Sequence, residues 1–142
     1  MLPRLLAIDY GRVRHGLAVS DALGLAAHPL PALQRSQPAR DLAHLKRVIE
    51  ERDVAEVIVG LPLHMSGDEG AMAVEVRRFG TALAEQLGLP VTYEDERLST
   101  DEAETRLSAR GLRPSERRKL RDSMAAAIIL ETVLTRRSGE SD

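Results

Sequence analysis

Three acidic positions stand where a carboxylate could do chemistry: Asp9, the cluster Glu94-Asp95-Glu96, and Asp122. Asp9 closes the apolar run Leu5-Leu6-Ala7-Ile8, which is long enough for a buried strand and too short for a helix. A carboxylate at the end of a buried strand is costly to keep ionised unless a cation or several donors meet it. An Asp two residues before Gly11 can equally begin a turn. After Val91-Thr92-Tyr93, strand alternation puts Glu94 and Glu96 on one face and Asp95 on the other, so either glutamate could meet Asp9. Asp122 lies three, four, seven and eleven residues before Ala125, Ala126, Ile129 and Val133, the apolar stripe of a helix. It therefore projects from the core-facing side, and it is equally placed to act as an N-cap.

Three carboxylates converging on one buried site cannot all stay ionised without a cation. Oxygen ligands in a chain with no cysteine suit Mg²⁺ or Mn²⁺, as one or two ions. A pair of such ions is suited to in-line attack on a phosphodiester. The basic run from Arg106 to Arg121 leads straight into Asp122, and it can steer phosphates or simply form a solvated face. On the first reading, Arg113, Arg117, Arg118, Lys119 and Arg121 are candidate nucleic-acid contacts. Arg12 and Arg14 flank Asp9 in the first turn, and Arg97 follows Glu96, so these three join them. His64, in the loop from Gly60 to Gly67, could also reach nucleic acid, although a loop ordered by Pro62 and Gly67 explains that stretch as well.

The elements that must position these groups follow from periodicity. Gly16 to Val19 reads as a second strand pairing with the first. Gly24 to Leu33, broken by Pro29 and Pro31, reads as a third strand at a sheet edge. A helix starts at Ser36-Gln37-Pro38, with Leu42, Leu45, Val48 and Ile49 on its apolar face. Val57 to Gly60 is a fourth strand, Ala71 to Leu87 a long amphipathic helix stopped by Gly88, and Val91 opens the fifth strand. Ser99 to Glu102 forms a capping box for a helix to about Ala109, and a last helix covers at least Ser123 to Leu134 before a frayed tail from Arg136. This order predicts an α/β protein with a mixed sheet, antiparallel first and parallel later, flanked by helices.

Composition narrows the classes of function. The 142 residues make one domain, with no linker or repeat to divide residues 1–142. The absence of cysteine excludes disulfides, zinc–thiolate sites and thiol nucleophiles. A net charge of −2 and an aromatic set of two Tyr and one Phe argue against a base-stacking platform for single strands. No apolar run approaches the ~18 residues of a membrane span, and no signal peptide is evident, so a cytoplasmic protein is expected.

Four segments resemble the YqgF/RuvX family of the ribonuclease H-like superfamily: Ala7 to Asp21, Val57 to Gly67, Asp95-Glu96-Arg97-Leu98-Ser99-Thr100, and Asp122 to Glu131. The resemblance implies a five-stranded ribonuclease H-like sheet and a metal-dependent endonuclease. Asp9, Glu96 and Asp122 match the family's acid triad, which selects Glu96 over Glu94, and Asp122 matches the acid that opens the last helix. The implied substrates are precursor ribosomal RNA, cut at the 5′ end of the small-subunit RNA, and the four-way DNA junction. A homodimer would favour the junction, which is cut symmetrically, whereas an RNA nuclease can act as a monomer. Two other readings share features with this one. An Asp-x-Gly hairpin also opens sugar kinases and actin-like ATPases, which need two such domains. A binding module could keep the fold without its chemistry. His15 departs from the family pattern, which has an aliphatic residue before the glycine.

Overall fold

The computed structural model describes residues 3–97, 102, 103, 105, 109, 111 and 113–140, without the side chains of 116–119 and 140. Five strands form one sheet: β1 (Arg4–Asp9), β2 (Arg14–Ser20), β3 (Ala27–Gln34), β4 (Val54–Leu61) and β5 (Val91–Asp95), in the order β3-β2-β1-β4-β5. β1, β2 and β3 form an antiparallel meander, while β4 pairs parallel with both β1 and β5. The two prolines of β3 therefore sit on an edge strand, where a missing backbone donor costs least.

Helices cover both faces. Helices α1 (Pro38–Glu51) and α2 (Ala71–Leu87) make the β3–β4 and β4–β5 crossovers, and the 27-residue α3 (Pro114–Glu140) covers the other face. Strand alternation divides the core accordingly. Leu6 and Ile8 of β1 pack with Leu45, Val76 and Leu83 on the α1/α2 side. Leu5 and Ala7 pack with Ala126, Ile129, Leu130 and Val133 of α3. The α3 side is built from small residues, Ala7, Ala18, Ala126 and Ala127, so the helix approaches the sheet closely. Burial of Ile129, Leu130 and Val133 contributes about 2 kcal/mol each to holding α3 down. By the same alternation Asp9 points to the α3 face.

Gln37 is the N-cap of α1 with Pro38 behind it, and Gly88 ends α2 in the left-handed region at φ 68°. The last helix differs from expectation at both ends. It begins at Pro114, so the basic residues from Arg117 to Arg121 lie in its first turns and Asp122 lies well inside it. Asp122 is therefore neither an N-cap nor the residue that opens the helix. The tail is also not frayed from Arg136. Helix α3 continues to Glu140, where Arg136 holds both oxygens of Glu94 at 2.8 Å and Arg137 grips Glu56 at 2.8 and 2.9 Å. The capping box at Ser99 lies outside the described residues, and Glu102, Ala103, Thr105 and Ala109 are helical. Among the described residues, no helix is long and apolar enough to cross a membrane.

Candidate active site

The site forms at the end of β1 and β5, with β4 between them. In the β1–β4 register Ile8 faces Val59, so Asp9 and Gly60 are the next residues along. Gly60 faces Glu94 of β5, and the Glu96 amide hydrogen-bonds the Leu61 carbonyl at 3.2 Å. A Cβ on Gly60 would stand 2.5 Å from Glu96 Oε2 and 2.7 Å from Ile129 Cδ1. The missing side chain is the space through which Glu96 reaches Asp9. The two carboxyl groups share a hydrogen bond, and Glu96 Oε2 is sealed from solvent.

Electrostatics follow from that proximity. Burial, then the charge of Glu96 and the hydrogen bond to it, then the charge of Asp122, push Asp9 up to about 9. The nearby Arg121 pulls the other way without prevailing. Glu96 is also raised, by burial first. Near neutral pH this pair retains a proton that a cation would displace.

Asp122 reaches the same region from the opposite layer. Its helix is docked on β2 at Gly16, where an added Cβ would lie 1.9 Å from the Asp122 carbonyl oxygen and 2.8 Å from the Ser123 nitrogen. Beside it, the Leu17 amide donates to Ser123 Oγ at 3.3 Å. The backbone contact holds Asp122 in place, and Arg14 Nε donates to its Oδ2 at 2.9 Å.

The donor set fits a hard divalent ion: two desolvated carboxylates that repel each other, and a third within range to feel them. Among the described residues, no three acidic or imidazole side chains stand close enough to hold an ion as arranged. Asp9 and Glu96 are joined, while Asp122 is engaged by Arg14.

Glu94 and Glu96 do share the α3 face, Glu94 reaching Arg136, while Asp95 turns to Arg97. Arg97 binds Asp95 at 2.7 Å and donates to the Met65 carbonyl at 3.1 Å, tying the turn after β5 to the Gly60–Gly67 loop. Arg12 is exposed beside Glu75 at 3.5 Å, Arg113 is exposed, and Arg121 is half-buried within electrostatic range of Asp9. Arg117, Arg118 and Lys119 belong to the first turns of α3, and their side chains lie outside the description. Asp21 accepts from the Leu25 amide at 2.9 Å and closes a turn. His64 is exposed on its loop.

His15 is a core residue, 2% exposed, with its ring 5.0 Å from Tyr10 and 4.9 Å from Phe79. Its Nδ1 accepts the Gly11 amide at 3.1 Å, so it supports the turn that carries Asp9. Gly16 and Gly60 are the residues that reading for side-chain chemistry missed. Both sit inside the motif segments, and their signal was a glycine within a strand, which marks close approach of another group.

A profile of the RuvX family, described as Holliday junction resolvase, matches residues 3–136. The chain belongs to the RuvX family. A relative from Anaeromyxobacter dehalogenans named "Putative pre-16S rRNA nuclease" is 46% identical over 95% of this chain and 98% of its own. One of the same name from Lactococcus lactis is 42% identical over 94% and 95%. The RuvX fold is also similar to RuvC of Thermus thermophilus, solved in complex with a Holliday junction substrate. That match has a TM-score of 0.59 and 23% identity, covering 97% of both chains. A large terminase nuclease from phage G20c, solved with bound zinc, matches with a TM-score of 0.51 and 15% identity over 92% and 80%. These two likenesses bear on the fold, which is that of the ribonuclease H-like sheet expected from the motifs.

Proposed function

We propose that this nuclease is a metal-dependent endonuclease in which Asp9, Glu96 and Asp122 hold one or two Mg²⁺ or Mn²⁺ ions. The observation that carries the reading is the buried Asp9–Glu96 pair, with Asp122 held beside it by the Gly16 contact. A bound divalent ion would supply positive charge at the scissile phosphate and lower the pKa of the attacking water. Asp9 and Glu96 must give up their shared proton to act as ligands. Asp122 supplies a third oxygen donor from a different structural layer, so closure of the site depends on α3 staying docked. Arg12, Arg14, Arg113, Arg117, Arg118, Lys119 and Arg121, with Arg97 at the turn after β5, would hold the nucleic-acid backbone around it.

The substrate we assign is precursor ribosomal RNA, cut at the 5′ end of the small-subunit RNA in the cytoplasm. The names of the relatives at 46% and 42% identity support it. The family description favours a four-way DNA junction as the second reading. A direct comparison separates them. Wild type and Asp9→Asn would each be given a precursor ribosomal RNA fragment and a labelled junction, with Mg²⁺ and with Mn²⁺. Cuts in the RNA alone, lost in the variant, are expected. Paired symmetric nicks in the junction, lost in the variant, would make it a resolvase acting as a homodimer. Cleavage of neither would leave the fold standing and count against the nuclease chemistry, as a nucleic-acid-binding module requires.

A further inference from the structure

We propose that Arg14 is a metal-responsive latch: its guanidinium occupies Asp122 until a divalent ion arrives, and is then released to bind a substrate phosphate. The inference rests on the metal reading above and names a control that the reading lacks. Arg14 opens β2 and shares its face with Gly16, the residue that touches the Asp122 backbone. The ion pair therefore spans the same β2–α3 contact that fixes Asp122. It is a single-point bond, Nε to Oδ2 at 2.9 Å, with the two side chains 32% and 25% exposed. Among the described residues, Nη1 and Nη2 of Arg14 make no hydrogen bond. That geometry suits exchange. A bidentate, buried pair would resist an incoming ion, whereas this one leaves both terminal nitrogens and a solvent path open.

The charge balance gives the exchange a direction. Without an ion, Arg14 is the cation that meets Asp122, beside the buried Asp9–Glu96 pair. An ion carrying two positive charges, held by the three acids, takes its place, and an Arg left beside it is repelled. Phosphate is the ligand that a displaced guanidinium beside a metal site would meet in a nuclease, and the planar fork of Arg binds phosphate oxygens in pairs. Arg14 is thus a positioning residue that couples ion binding to substrate binding, and the coupling is reciprocal.

The test is calorimetric and needs no turnover. Mn²⁺ is titrated into wild type, Arg14→Ala, Arg14→Lys and Asp122→Asn, with thermal melts confirming that each is folded. A latch competes with the ion, so Arg14→Ala should bind Mn²⁺ roughly tenfold more tightly than wild type, with Arg14→Lys between them. A merely supporting role would weaken Mn²⁺ binding in Arg14→Ala, and that result overturns the proposal. Binding of an RNA duplex is then measured in EDTA and in Ca²⁺. Arg14→Ala should lose affinity in Ca²⁺ only, and equal losses in both buffers would overturn it. Failure of the underlying metal reading looks different: neither wild type nor Arg14→Ala takes up Mn²⁺, or Asp122→Asn binds it unchanged.

Discussion

Asp9 and Glu96 meet across a strand that belongs to neither. β4 lies between β1 and β5, and the two carboxyls share a hydrogen bond over Gly60. The contact needs a position on β4 with no side chain, because a Cβ there would fall 2.5 Å from Glu96 Oε2. Gly60→Ala should therefore separate the acids while leaving the sheet intact. We expect cleavage to fall by roughly a hundredfold or more with a stability loss of only about 1–3 kcal/mol. A Gly60→Ala protein with wild-type turnover would show that the acids need not meet.

The same pair makes stability depend on pH in a defined sense. The folded Asp9 carboxyl is raised to about 9, so between its unfolded value of 3.8 and that point the native state holds the extra proton. Stability in EDTA should then decline as pH rises through this window. Asp9→Asn removes the ionisable group, and its melting temperature should fall less steeply between pH 5 and pH 9, in steps of roughly one pH unit. Mg²⁺ added at the alkaline end should raise the melting temperature of wild type and leave the variant nearly unmoved. Parallel melting curves for the two proteins would refute the assignment.

Gly16 anchors the third acid by contact with backbone, not with a flexible side chain. A methyl group at 1.9 Å from the Asp122 carbonyl oxygen cannot be accommodated unless α3 moves off β2. Gly16→Ala should cost about 2–4 kcal/mol in denaturant unfolding and abolish cleavage together, since the displaced helix carries Asp122 with it. Ser123→Ala removes only the hydroxyl that accepts the Leu17 amide, and should cost about 1 kcal/mol with most activity kept. Equal activity loss in the two variants would contradict this division of labour.

The site was legible where chemistry lies in side chains with a fixed period. Alternation along β5 placed Glu94 and Glu96 on the α3 face and Asp95 on the other, as their partners Arg136 and Arg97 show. The apolar stripe from Ala125 to Val133 likewise turned Asp122 inward. Helix ends were less legible, because the charged residues from Arg113 to Arg121 carry no apolar stripe and read as loop or surface. Pro114 is the first helical residue, a proline signal that lies far outside the apolar stripe from Ala125 to Val133. The tail misled for a related reason. Its ordering comes from Glu94 and Glu56, partners 42 and 81 residues away that no local pattern reveals.

The environment of His15 explains how a histidine is accommodated in the core beneath the turn that carries Asp9. Burial, and then the charge of Arg35, depress its imidazole to about 4, so the ring is neutral at pH 7 and Nδ1 is free to accept the Gly11 amide. Between the unfolded value of 6.5 and that point the unfolded chain binds the additional proton, so this residue should make stability fall as pH drops through 6.5 toward 4. His15→Leu keeps the contact with Tyr10 and Phe79 but strands the Gly11 amide beside Asp9. The variant should be about 1 kcal/mol less stable than wild type near neutral pH. The gap should close or reverse in acid, because leucine has no proton to take up on unfolding. Urea unfolding at pH 7.5 and pH 5 measures both arms. A gap that widens in acid would mean that His15 gains a proton in the folded core, and that the turn below Asp9 is held by something other than this neutral imidazole.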